Sequence, residues 1–256
     1  MIPSVAIVTG ASQGIGRATA VRLARDFDHL VLVARNRDNL EETAQLARAA
    51  GAQALVIDAD LSAVDTPQTI VAKALADFGR IDALLNIAGA VPQVDLLEMS
   101  DAQWEDGLAL KLHGARRLTI AAWSALKRAN GSVVLMSGNS ALFPKAPYAA
   151  VGTINAAIVA LAKAFADRGI ADGVQVNSVL PGPVMTGRRE SYLKHWAPLH
   201  GMTVAEATEK FPKEAGIARY GTPEEIAELM AFLVSPAAKW LTGTALRMDG
   251  GEVKSI

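Results

Sequence analysis

With 256 residues, 51% of them hydrophobic and 20% charged, the chain is long enough to bury a sizeable core, and a layered α/β fold of this length is expected to form one domain. Its 25 Lys and Arg nearly balance 26 Asp and Glu without a block of like charge, which argues against a nucleic-acid partner or an acidic tail and for a small-molecule substrate. The absence of Cys and the scatter of the four His exclude disulfides and thiolate metal ligands and leave no metal site expected. In chain order, apolar runs rich in Val, Ile and Leu occupy residues 5–8, 30–33, 54–57, 83–85, 133–136, 175–179 and 245–248. The first begins with no basic leader before it, and no later stretch of about 18 apolar residues is read, so a cytoplasmic chain without a membrane span is expected. Between the runs lie longer, Ala-rich segments of helical period. Strands buried on both faces read as continuous apolar runs, and helical crossovers make them parallel, so seven strands in a doubly wound α/β sheet are predicted. Residues 187–222 break the alternation and carry Pro198 and Pro212, which reads as an insertion forming a lid over a substrate site at the carboxyl ends of the strands.

The most informative motif follows the first strand and opens a helix predicted over residues 17–25: Thr9-Gly10-Ala11-Ser12-Gln13-Gly14-Ile15-Gly16. Glycines permit a tight turn and close approach of the backbone to a pyrophosphate, whose charge the free N–H groups and helix dipole stabilise by about 0.3–1 kcal/mol. A glycine cluster alone says little. Here the strand before it and the helix after it are where dinucleotide binding requires them.

From this turn onward the sequence resembles the short-chain dehydrogenase/reductase family. It carries the family's Thr-Gly-x-x-x-Gly-x-Gly turn, Asp60-Leu61 after the third strand, Asn86 to Ala88 and Gly89 after the fourth, and Asn177, Pro181-Gly182 and Thr186 after the sixth. The tail from Trp240-Leu241-Thr242-Gly243 to Met248-Asp249-Gly250-Gly251 also matches. The resemblance implies a Rossmann fold with strand order 3-2-1-4-5-6-7 and a homodimer or homotetramer. It also implies a cofactor site: the turn residues Gly10, Ser12, Gln13, Gly14, Ile15 and Gly16 at the pyrophosphate, and Asp60 and Leu61 at the adenine. Asn86, Ala88 and Gly89 would lie beside the ribose and nicotinamide, with Pro181, Gly182, Val184 and Thr186 at the nicotinamide amide and pyrophosphate.

A carboxylate at the end of the second strand binds the 2′-hydroxyl of NAD, whereas an arginine there accommodates the 2′-phosphate of NADP. This strand runs into Arg35-Asn36-Arg37, and the first acid is Asp38. Guanidinium suits bidentate phosphate binding, so NADP is favoured over NAD, with Ser12 adding a hydroxyl.

The chemistry departs from the family. Its members use Asn, Ser, Tyr and Lys, with Ser thirteen residues before Tyr and Tyr four before Lys. Aligned on the helix that follows, Gly138 falls at Ser, Val151 at Tyr and Asn155 at Lys, with both spacings kept, and Lys111 falls at Asn. Two readings remain. In a rearranged NADPH-dependent oxidoreductase reducing a carbonyl or an activated C=C, Tyr148, seven residues before Asn155, has the Tyr-x6-Lys spacing of enoyl-thioester reductases and acts as the acid. Lys111 then supplies a cation worth about 4 kcal/mol at ~4 Å and an effective dielectric near ~20, and Asn155 bonds the ribose. In the alternative, the chain is a non-catalytic dinucleotide-binding subunit, sensor or scaffold. Ser137, Asn139 and Ser140 stand near the missing Ser as possible donors, Arg188, Arg189, Tyr192, His195 and Trp196 come from the insertion, and Trp104 and Trp123 read as core or interface.

Overall fold

The computed structural model describes residues 3–255. Each apolar run forms a strand: β1 (Val5–Thr9), β2 (His29–Ala34), β3 (Gln53–Asp58), β4 (Ala83–Asn86), β5 (Ser132–Met136), β6 (Gln175–Pro181) and β7 (Ala245–Met248). They form one sheet in the order β3-β2-β1-β4-β5-β6-β7, with every neighbouring pair parallel, as expected. Side chains alternate across a strand, so β1 feeds both cores: Val5 and Ile7 pack with one helical layer, Ala6 and Val8 with the other.

Nine α-helices accompany the strands among the described residues: α1 (Gly14–Leu23), α2 (Arg37–Ala49), α3 (Thr66–Phe78), α4 (Asp101–Gly107), α5 (Ala115–Ala129), α6 (Ala149–Asp172), α7 (Gly187–Leu199), α8 (Val204–Ala215) and α9 (Pro223–Val234). A π-helical segment, Leu108–Gly114, joins α4 to α5. Residues of α3, α5 and α6 cover one sheet face, and residues of α1, α2 and α9 cover the other.

Three expectations change in detail. The first helix starts at Gly14 and ends at Leu23, because the glycine turn itself supplies its first residues. Residues 187–222, read only as an insertion, hold two capped helices. Thr186 accepts from the Arg189 N–H and Thr203 from the Glu206 N–H, so α7 and α8 have local start signals that outweigh Pro198 and Pro212 within them. Finally, Ala146–Asp172 is long and apolar enough, by length and composition alone, to cross a membrane, contrary to expectation. In the fold its Ile158, Ala162 and Ala166 pack into the core beneath the sheet.

Candidate active site

At the carboxyl end of β1, Gly10 and Gly14 take left-handed φ values of 67° and 54°. Closeness constrains Gly16 more severely, since a Cβ there would lie 2.0 Å from the Gly10 carbonyl oxygen. Thr9 fastens the turn to its neighbour: its hydroxyl accepts from the Ile87 and Ala88 N–H groups at 2.9 and 3.0 Å and donates to the Leu85 carbonyl at 3.3 Å. Arg17 braces the other side, donating to the carbonyls of Ser12 and Asn39 at 2.8 and 3.1 Å.

These contacts frame a cleft of about 730 Å³. Gly10, Ser12, Gln13, Gly14, Ile15, Gly16, Arg35, Asn36, Leu61, Ala88, Gly89 and Thr186 all line it. No carboxylate lines the cleft among the described residues, while the guanidiniums of Arg35 and Arg188 do. Free N–H groups, a helix N-terminus and two guanidiniums, of which Arg35 also faces Asp60 of the adjoining cavity, make a site for a phosphate-bearing ligand. The glycine turn, packed so tightly that a Cβ at Gly10 or Gly16 would meet neighbouring backbone, fits the close backbone approach that a dinucleotide needs.

Other expected residues lie elsewhere. Arg37 points away and pairs with Asp58 at 2.9 Å. Asp60 lines a neighbouring cavity of about 950 Å³, its carboxylate lowered in pKa chiefly by the Ser62 N–H and opposed by burial. Gly182 and Val184 line that same cavity. Asn86 is buried and donates to the Thr119 hydroxyl at 3.1 Å, and Pro181 is buried within β6, paired with Met248; neither lines either cavity. Asn39 and Met136, which line the cleft, carried no motif that could have found them in the sequence.

Beneath the cleft, Lys111 and Asn155 are in contact. Lys111 comes from the π-helical segment, an insertion-like geometry often found at functional sites. Its ammonium donates to Asn155 Oδ1 and, at 3.2 Å, to the Ser137 carbonyl. Asn155 is 3% exposed, and its amide donates to the Ser140 hydroxyl at 2.8 Å, while the Ser137 hydroxyl donates to the Asn155 carbonyl at 2.7 Å. Burial, with Arg188 as a nearby like charge, pushes the Lys111 ammonium down from 10.5 to about 8. Two glycines make room: a Cβ on Gly138 would sit 2.6 Å from Asn155 Nδ2, and one on Gly89 would sit 3.0 Å from Lys111 Cδ. Asn139 instead donates to Glu252.

Tyr148 stands half-buried where α6 begins, lines neither cavity, and its hydroxyl makes no hydrogen bond among the described residues. From α7, Arg188, Arg189 and Tyr192 line the larger cavity. His195 is exposed and turns back to the Ser191 carbonyl of its own helix, while Trp196 stacks on His200 and meets Phe211 of α8, so it serves the packing of α7 and α8. Trp123 donates to Asp172 at 2.8 Å, and Trp104 is half-buried on α4.

Comparison with known proteins gives this geometry its family. A family model described as enoyl-(acyl carrier protein) reductase matches residues 10–252, and the chain is 33% identical over 248 residues to the short-chain reductase protein NovJ of Streptomyces niveus, covering 97% of this chain and 93% of that protein. The chain belongs to the short-chain dehydrogenase/reductase family. A second family member, the NADPH-dependent reductase BacG of Bacillus subtilis, is 31% identical over the full length of both chains. Among solved structures, L-sorbose reductase from Gluconobacter frateurii, complexed with NADPH and L-sorbose, superposes with a TM-score of 0.95 at 28% identity, covering 100% of this chain and 98% of that one.

Proposed function

We propose that the chain is an NADPH-dependent reductase of a carbonyl, or of an activated C=C such as an enoyl thioester, working through a rearranged active site. The observation that carries the cofactor choice is a cleft lined by Arg35 and Arg188 and by no carboxylate among the described residues. Arg35, with Ser12 and Asn36, would hold the 2′-phosphate, and the N–H groups from Gly14 to Gly16 the pyrophosphate. Leu61, Ala88, Gly89 and Thr186 would flank the rest, with Asp60, Gly182 and Val184 bordering the adjoining cavity. When bound, NADPH supplies the hydride.

The chain's own residues then have to place the substrate and deliver a proton to its oxygen. We assign that delivery to Lys111, because an ammonium held near 8 is matched to proton transfer near neutral pH, and Asn155 and the Ser137 carbonyl fix its position. Asn155 orients Lys111 and would share the ribose with it. Tyr148 has the spacing for the acid, but its hydroxyl makes no hydrogen bond among the described residues, whereas the Lys111 ammonium is fixed by two acceptors, which favours Lys111 as the donor. One domain carries the whole site, with α7 and α8 as the lid over the larger cavity, and two or four copies assemble.

A second reading, a dinucleotide-binding subunit, sensor or scaffold without chemistry, is favoured by one observation: Lys111 itself lines neither cavity. Titrating NADPH and NADH, then following loss of reduced nicotinamide with ketones, aldehydes and enoyl thioesters, separates the two. Tighter binding of NADPH with turnover of at least one class is expected. Binding without turnover supports the second reading, and failure to bind either nucleotide contradicts both.

A further inference from the structure

The larger cavity is walled on one side by α7. Arg17, Arg22, Arg37, Arg80 and Arg219 each meet a carboxylate. Arg189 does not: its backbone N–H caps on Thr186, but among the described residues its guanidinium has no carboxylate or carbonyl partner. Two aromatic rings hold it instead, with its guanidinium carbon 5.5 Å from the Tyr192 ring centroid and 5.9 Å from that of Tyr220. Tyr220 is 8% exposed and its buried hydroxyl has no hydrogen-bond partner among the described residues.

A guanidinium stacked between rings has already lost rotamer freedom, so binding an anion costs it little further ordering, and its fork of donors remains unspent. Of the cavity's carboxylates, Asp60 is engaged by Ser62, and Asp106 faces from α4. Arg188 borders both cavities and donates to the Gly89 carbonyl at 3.4 Å, whereas Arg189 borders only the larger one. Arg189 thus stands outside the lining of the dinucleotide cleft, although the two cavities meet at Ile15, Arg35, Thr186 and Arg188.

We propose that Arg189, clamped by Tyr192 and Tyr220, is an anion subsite, and that the substrate is a carbonyl compound carrying a carboxylate or phosphate that this guanidinium grips in bidentate fashion. The assignment rests on the reductase reading, which supplies the carbonyl; the subsite supplies the anion.

The test pairs acids with neutral partners: pyruvate, acetoacetate and levulinate against their methyl esters, and dihydroxyacetone phosphate against dihydroxyacetone. Calorimetric titration into the complex with NADP⁺ reads binding without turnover, and NADPH consumption reads kcat and KM. At least one anion is expected to bind tenfold or more tightly than its neutral partner. Arg189→Met removes that preference through KM or Kd, while NADPH affinity, the melting temperature and the constants for the neutral partner stay unchanged; Arg189→Lys restores part of it. Preference for a carboxylate or for a phosphate tells which anion is taken. Equal binding of every anion and its neutral partner by the wild type, or an unchanged preference in Arg189→Met, overturns the subsite. Loss of nucleotide binding in the wild type would instead contradict the reductase reading.

Discussion

Lys111 and Asn155 form a coupled pair: the space beside the Lys111 stem comes from Gly89, and that beside the Asn155 amide from Gly138. This gives a direct prediction. Gly138→Ser would push its Cβ against Asn155 Nδ2. It is expected to lower kcat at least tenfold and to destabilise the fold by about 1–3 kcal/mol, checked by steady-state rates and denaturant melts. A Gly138→Ser protein faster than the wild type would show that the glycine is a lost function. The thirteen and four residue intervals singled out Gly138, Val151 and Asn155 in the sequence, and the fold brings Lys111 onto Asn155. Arg37 and Tyr148 were not legible. Both sit at plausible positions in the chain, yet Arg37 meets Asp58 across the sheet edge, and only the fold brings that acid near.

At the scale of elements, the strand and turn signals are local, and the fold follows them closely. Continuous apolar runs become strands whose ends move by one or two residues, and β1 delivers its glycine turn to the sheet's carboxyl edge. Gly16→Ala tests this element: the new Cβ would fall 2.0 Å from the Gly10 carbonyl oxygen, so α1 must shift away from β1. NADPH affinity is expected to fall more than tenfold while helix content measured by circular dichroism stays close to wild type, and unchanged affinity would contradict the turn's role. Less legible were Thr9, which reads as part of a family motif but acts as the clasp between β1 and β4, and the two helices within residues 187–222. Internal prolines broke the periodic pattern there. Each helix tolerates its proline because the caps at Thr186 and Thr203 and the packing of Leu193, Ala197 and Ala207 outweigh one lost backbone bond. The π-helical turn that carries Lys111 left no readable mark, since its residues have ordinary helical composition.

For the whole molecule, two features argue for assembly. The core helices α5 and α6 leave Ile120 and Ile170 exposed, at 53% and 74%, and Trp240 stands fully exposed just before β7 at the open edge of the sheet. Light scattering behind size-exclusion chromatography is expected to give two or four times the chain mass; a monomer at micromolar concentration would contradict the assembly. The central claim, however, is that a buried ammonium replaces the usual acid. Its sign is fixed by the direction of the shift: a cation lowered to about 8 is protonated below that value and loses its proton as pH rises through it. The decisive measurement is the pH dependence of kcat/KM for reduction with saturating NADPH, in the wild type, Lys111→Met and Tyr148→Phe, with nucleotide binding as the control for folding. The wild type and Tyr148→Phe are expected to hold a plateau below about 8 and fall above it, with Lys111→Met slower by about 10²–10⁴ and without that break. A Lys111→Met protein that keeps the wild-type rate and profile, or a loss confined to Tyr148→Phe, would contradict it.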